Sequence, residues 1–256
     1  MMLTRFSTVL STLLACAILS IPTLAVERTL VAEGSYTGQK SNVRKPYDAW
    51  KLWKESDGSF LAEVVAGPAA GIAGRLVQTF RFDNQFLPSG YSLNLARVRE
   101  GDTISLSCRL ESDRLSCESE FEGKKSSTST DVKGPCIVMV DDFSGIDLVW
   151  LSVAATRIFQ ANKFKGSVDV YVLKEKSLGQ ISLEMDSHPD KFVMAGVEPA
   201  AVLGKSRTIR KYEFGGEELW EVKALSNGLI VSMSVKGAPD AGFELAEYNE
   251  YSEWAP

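Results

Sequence analysis

Two cysteines in one alternating segment form the clearest chemical pattern in this sequence. Cys108 and Cys117 flank the polar pair Ser112-Asp113, and apolar and polar residues alternate on both sides of it, which is typical of two strands joined by a tight turn. A two-residue turn there sets Cys108 opposite Cys117, in a pair whose Cα atoms lie about 4.5 Å apart, within the range that a disulfide spans. The pattern predicts a disulfide-linked hairpin, and two reduced core cysteines are the alternative.

Residues suited to catalysis are scarce. His188 is the single histidine and lies in the polar segment Asp186-Ser-His-Pro-Asp, and the chain has no Gly-x-Ser-x-Gly nucleophile motif. Zinc sites need several cysteine or histidine ligands at close spacing, which Cys136 lacks. We interpret Asp141-Asp142 as a solvated strand end and Cys136 as a buried strand thiol. We therefore expect no enzymatic activity, no metal and no cofactor.

The charge distribution argues against nucleic acid as a partner. The chain has 28 basic and 33 acidic residues and a formal net charge of −5, and its basic residues form no stripe. A nucleic-acid-binding surface needs a basic patch or stripe, so we exclude this class of partner.

The first 25 residues predict export. Arg5 precedes an apolar run, and the small residues Thr23 and Ala25 end it, as in a secretory signal peptide cleaved after Ala25. Pro22 interrupts the run before it reaches the roughly 20 apolar residues of a membrane span. We expect a mature chain that is periplasmic or secreted and does not span a membrane.

A lipid anchor is the alternative interpretation of the same segment. Leu13-Leu14-Ala15-Cys16 looks like the motif at which bacterial lipoproteins are cleaved and acylated. The apolar core ahead of Cys16 is short, however, and the residues after it are also apolar. We therefore favour cleavage near Ala25 over acylation at Cys16.

Residues 26–256 predict a single β-rich domain. Short alternating segments separated by Gly, Asn, Asp or Pro turns favour an antiparallel meander without a βαβ unit. One of the predicted strands is Lys191–Ala195. The Ser/Thr-rich segment Lys124–Lys133 is either an exposed edge strand or a mobile loop.

One helix interrupts the strands, from Gly145 to about Lys163. Ser144 and Asp147 fit a capping box at its start. It has two apolar faces, which predicts burial on both sides. The first face comprises Leu148, Leu151, Ala155, Ile158 and Phe159, and the second comprises Ile146, Val149, Trp150 and Val153.

The order of these elements resembles a group of bacterial envelope proteins. The helix is entered through Asp142-Phe-Ser-Gly-Ile-Asp and followed by Phe164-Lys-Gly-Ser-Val-Asp-Val-Tyr-Val, and a late hairpin contains Leu219-Trp-Glu-Val. The group includes the periplasmic lipoprotein carriers. The resemblance implies a strongly curved antiparallel sheet, a half-barrel enclosing one long helix, with acyl chains bound beneath the sheet. The carriers use several helices as a lid, whereas this chain has one.

These patterns predict a non-enzymatic envelope protein that binds an apolar or acylated ligand between sheet and helix. We expect Val149, Trp150 and Val153 to face the cavity and Arg157 to contact a ligand headgroup; extension of Arg157 into solvent is the alternative. A structural or adaptor module with a filled core, binding another envelope protein by an edge strand, is the second hypothesis. A hydrolase is the third.

Overall fold

A computed structural model describes most of the chain: residues 27–38, 48–66, 74–97, 103–111, 113–121, 123–140, 148–163, 168–177, 180–185, 191–215 and 219–252. In this part the protein is mainly β, with one helix, as predicted. The expected signal peptide, Cys16, Asp141-Asp142 and His188 lie outside the described residues.

Most strands belong to one large antiparallel sheet of 13 strands, in the order β12-β13-β14-β15-β16-β1-β2-β3-β4-β5-β6-β7-β8. Its first eight strands are β1 Arg28–Gly38, β2 Asp48–Glu55, β3 Phe60–Ala66, β4 Gly74–Phe82, β5 Pro88–Arg97, β6 Thr103–Glu111, β7 Arg114–Phe121 and β8 Lys124–Asp131. The other five are β12 Lys191–Val202, β13 Lys205–Gly215, β14 Trp220–Leu225, β15 Ile230–Val235 and β16 Ala238–Glu250.

The two halves of the chain join where the first strand pairs with the last. β1 lies between β2 and β16, so one continuous sheet connects the early and late hairpins. Gly34 permits close packing at this junction. A Cβ atom there would lie 2.3 Å from the carbonyl oxygen of Glu247 and 2.7 Å from the Trp50 ring. Only glycine fits at this position of β1 without a backbone shift.

A second sheet of three strands carries the helix. It comprises β9 Ile137–Val140, β10 Val170–Ser177 and β11 Gln180–Met185, and helix α1 Leu148–Ala161 lies between β9 and β10 in the chain. β9 and β10 are parallel neighbours, so β9-α1-β10 is a βαβ unit. The predicted antiparallel arrangement is confirmed for the large sheet, but the prediction that the chain has no βαβ unit was wrong. Local alternation indicates that a segment is a strand but not which strand it pairs with.

The two edge strands of the large sheet are β8 and β12. The Ser/Thr-rich segment forms β8, which pairs only with β7 in this sheet. At the other end, β12 continues to Val202, beyond the predicted end at Ala195, and includes Pro199. An edge strand tolerates proline because one row of its backbone groups has no partner in the sheet.

Alternation gives each strand of the large sheet a buried face and a solvent face. In β5, Tyr91 and Leu93 are buried, whereas Ser92 and Asn94 point the other way. The buried faces of the strands form one hydrophobic cluster with the helix, and several charged and hydroxyl side chains occupy the solvent face. The helix therefore packs on the buried face.

Candidate functional site

The predicted ligand-facing residues of the helix lie in the core. Val149 is 1 % exposed, and Trp150 and Val153 are both 0 % exposed. The Trp150 ring lies 5.4 Å from Trp50 on β2 in an edge-to-face arrangement, and it stacks on Phe80 of β4 at 6.2 Å. Aromatic protein side chains therefore already contact the part of the helix that the sequence assigned to an apolar ligand.

Arg157 fastens the helix to a hairpin turn. Its guanidinium donates to the carbonyl oxygens of Gln85 and Phe86, at 3.1 and 3.4 Å, and to the side-chain oxygen of Gln160 at 2.9 Å. Gln160 in turn donates to the Tyr212 hydroxyl on β13 at 3.1 Å. Because Arg157 is 7 % exposed, it does not extend into solvent, which was the alternative to a headgroup contact.

A second turn closes over the Arg157 side chain. Gly228, between β14 and β15, has a φ of +89°, and a Cβ atom there would lie 2.7 Å from Arg157 Cδ. Burial lowers the pKa of the Arg157 guanidinium, and the positive charge of Arg210 lowers it further. An arginine nevertheless stays protonated at neutral pH. Arg157 thus places a positive charge where the β4–β5 turn, the β14–β15 turn and the helix meet.

The helix has three polar side chains at four-residue spacing, Ser152, Thr156 and Gln160, and two of them contact strands β15 and β13. The Ser152 hydroxyl lies 3.2 Å from the Met233 sulfur on β15, and Gln160 contacts Tyr212. Thr156, between them, is 0 % exposed, and its hydroxyl has no hydrogen-bond partner among the described residues. Such a group destabilises the fold by about 1–3 kcal/mol.

A small apolar cavity lies on a different side of the helix. Its volume is about 30 Å³, room for roughly one or two water-sized groups. It lies where the helix, β9 and strands β4 to β7 meet. Its lining residues are Phe80, Pro88, Gly90, Tyr91, Cys108, Leu110, Leu115, Cys136, Ile137, Val138, Leu151 and Ala154.

Cys108 and Cys136 line this cavity. Cys108 and Cys117 are directly opposite in the β6–β7 hairpin and form a disulfide, with Cα atoms 4.1 Å apart. This confirms the predicted pairing and register. Cys136 is free and buried. Burial raises the pKa of its thiol to about 12, with a smaller contribution from the negative charge of Asp169.

Sequence reasoning missed Ala154 and the strand residues as parts of this site. Leu151 was assigned to the helix face that packs on the sheet, and Ala154 was assigned to neither face. A small side chain on a buried helix creates a gap that neighbouring side chains do not always fill. Ala154 was therefore a weak indication in the sequence of a cavity at this position.

The described residues contain no group of three or more His, Cys, Asp or Glu side chains that could hold a metal ion. In the same part of the chain, no helix has the length and apolar character needed to cross a bilayer.

Comparison of the chain with protein-family models, with curated proteins and with solved structures gives no match in any of the three.

Proposed function

We propose that this protein is exported and, without being an enzyme, binds an apolar or acylated ligand between the large sheet and the helix. The observation that carries the proposal is the apolar cavity between the helix, β9 and strands β4 to β7. We place the ligand there, beside Leu151 and Ala154, because aromatic side chains occupy the space around Trp150. As part of this proposal, we also propose that the protein is related to the envelope proteins that include the periplasmic lipoprotein carriers.

The contacts of the helix support a curved sheet, as the proposal requires. Gln160 contacts Tyr212 on β13, and Trp150 contacts Phe80 on β4. β13 and β4 are seven positions apart in the sheet order, about 34 Å in a flat sheet. A helix with its side chains is only about 10–12 Å wide. We infer that the sheet bends around the helix, as in a half-barrel.

The βαβ unit supplies a way to enlarge the cavity. A single acyl chain needs more room than about 30 Å³, so β9 and the helix have to move away from strands β4 to β7. The three-stranded sheet is separate from the large one, and a hydrogen bond from the Ile181 backbone N–H to the Ser126 hydroxyl connects the two. Movement of the helix would in addition break the hydrogen bonds from Arg157 to the carbonyl oxygens of Gln85 and Phe86.

Organic extracts of gently purified protein provide the first test. Mass spectrometry should detect a co-purifying lipid or other apolar molecule that is lost after delipidation. Delipidated protein should then bind dansyl-undecanoic acid, with a blue shift of dansyl emission. Absence of both signals would overturn the proposal.

Two alanines on the helix provide a matched pair of variants. Ala154 lines the cavity, whereas Ala155 is equally buried and does not. Ala154→Leu should weaken dansyl-undecanoate binding and should destabilise the protein less than Ala155→Leu does, because part of the added side chain takes up existing space. Ala155→Leu should overpack the core and destabilise the protein by about 1–3 kcal/mol. Equal binding by the wild type and Ala154→Leu would contradict this location.

The adaptor hypothesis is the second candidate, and edge strand β12 favours it. Val193 and Val197 on this strand are 52 % and 56 % exposed, and β12 pairs only with β13 in the sheet. An apolar edge strand can add a strand from a partner protein. Under this hypothesis the core is filled, no lipid co-purifies, and a Val197→Lys variant loses a partner that the wild type retains in cross-linked envelope extracts.

A further inference from the structure

A hydroxyl-rich concavity lies on the solvent face of β5 to β8, opposite the buried face that carries the disulfide. It has a volume of about 440 Å³, within the range of small-molecule binding sites. Strand register explains its composition, because residues directly opposite each other in an antiparallel sheet share a face. One cross-strand row contains Ser92, Ser107, Glu118 and Ser127, in strand order.

The adjacent row also lines the concavity. It contains Asn94, Ser105, Glu120 and Lys125, again one residue from each strand. Lys125 and Glu120 form an ion pair at 3.7 Å. A short serine side chain occupies the second position of both rows, and a longer glutamate side chain occupies the third. The concavity therefore results from side-chain length.

Several polar groups in the concavity are available to a ligand. Ser92 shares a hydrogen bond with Thr79 at 2.5 Å. Ser107 and Glu118, however, are exposed, and within the described part of the chain neither side chain has a hydrogen-bond or ion-pair partner. Hydroxyls can donate and accept, and the carboxylate accepts. The surface thus offers both kinds of hydrogen-bonding group at close spacing.

We propose that this concavity binds a neutral oligosaccharide. The eight side chains of the two rows are all polar or charged, and Leu106, which also lines the concavity, is only 5 % exposed, which disfavours apolar ligands. Two carboxylates against one ammonium group disfavour anions such as nucleic acids. Dense donors and acceptors suit a ligand rich in hydroxyl groups. A row of four strands spans about 14 Å, long enough for several linked sugars rather than one.

The test is an NMR titration of the ¹⁵N-labelled protein with maltotriose, cellotriose and tri-N-acetylchitotriose, each added to about 10 mM, above a millimolar Kd. We expect saturable shifts for at least one sugar at the backbone amides of β5 to β8. Trigalacturonate, an acidic trisaccharide, should bind more weakly. Absence of shifts with all three neutral sugars, shifts confined to other strands, or tighter binding of trigalacturonate would overturn the proposal.

Variants locate the interaction within the concavity. Ser107→Val should keep the fold, because valine suits an exposed strand position. Glu118→Gln keeps the shape and removes the charge. Each should weaken binding about tenfold, the loss expected for a hydrogen bond to a charged or well-placed group. Ser116→Val, on the same face of β7 but outside the concavity, should bind like the wild type. Unchanged affinity in both Ser107→Val and Glu118→Gln would overturn the proposal.

Discussion

At the scale of single residues, burial determines the protonation state or the hydrogen-bond partners of Cys136, Arg157 and Thr156. Cys136 is a free thiol with a pKa of about 12, so at neutral pH it is protonated and a poor nucleophile. Arg157 keeps its charge but donates to backbone carbonyl oxygens rather than to solvent. Thr156 has a buried hydroxyl with no hydrogen-bond partner in the described part of the chain. None of these residues forms a recognisable catalytic group.

The raised pKa of Cys136 predicts a loss of stability at alkaline pH. An unfolded thiol has a pKa of about 8.5, below the folded value of about 12. The thiol's contribution is therefore fully present below about pH 8.5 and is lost as the pH rises towards 12. Between pH 8 and pH 10, the urea midpoint should fall more for the wild type than for Cys136→Ala. Parallel decreases in the two proteins would contradict this prediction.

The unpaired hydroxyl of Thr156 predicts a stabilising substitution. Thr156→Val keeps the shape and removes a buried group that has no partner, so the free energy of unfolding should rise by about 1 kcal/mol. The Thr79 hydroxyl is hydrogen-bonded to Ser92, so Thr79→Val is the matched control and should not stabilise. Urea unfolding measures both, and a destabilised Thr156→Val would show that the hydroxyl has a partner.

At the scale of elements, the helix is held by contacts with several hairpins. Arg157 joins it to the β4–β5 turn, Gln160 to β13, and Ser152 to β15. Trp150 lies against β2 and β4. The helix is apolar on more than one face because its apolar side chains belong to the same hydrophobic cluster as those of the surrounding strands. Periodicity predicted this property, but it did not identify the strands that contact each face.

Loss of the Arg157 contacts should loosen the helix from the β4–β5 turn. Arg157→Leu retains apolar bulk but removes the donors to the carbonyl oxygens of Gln85 and Phe86, so we expect a loss of about 1–3 kcal/mol in the free energy of unfolding. Arg109→Leu is the control, because the Arg109 side chain is 77 % exposed; its effect should stay within about 0.5 kcal/mol. Similar urea midpoints for the two variants would contradict a structural role for Arg157.

At the scale of the whole molecule, local patterns predicted the elements better than their arrangement. Alternation located most strands, and the turn between Cys108 and Cys117 set their register. The parallel pairing of β9 with β10 was not predictable from alternation, because the two strands are separated by the helix. The predicted strand Lys191–Ala195 was too short, because β12 continues through Pro199 to Val202 as an edge strand.

The candidate site was predictable only in part, for a similar reason. The sequence predicted a buried helix with apolar faces, and Trp150 and Val153 are indeed buried. Which face borders a cavity depends on how closely the opposing side chains approach. Trp50 and Phe80 fill the space near Trp150, whereas β9 leaves space beside Ala154. That difference arises from tertiary packing.

Photo-cross-linking tests the central claim, an apolar ligand between helix and sheet, most directly. Delipidated protein would be irradiated with diazirine-labelled palmitate, and the labelled peptides would be identified by mass spectrometry. We predict label at Leu151 or Ala154 on the helix and at Leu110 or Leu115 on the facing strands, and competition by unlabelled palmitate. Label confined to the exposed residues of β12, or no saturable label at all, would contradict the account and favour the adaptor hypothesis.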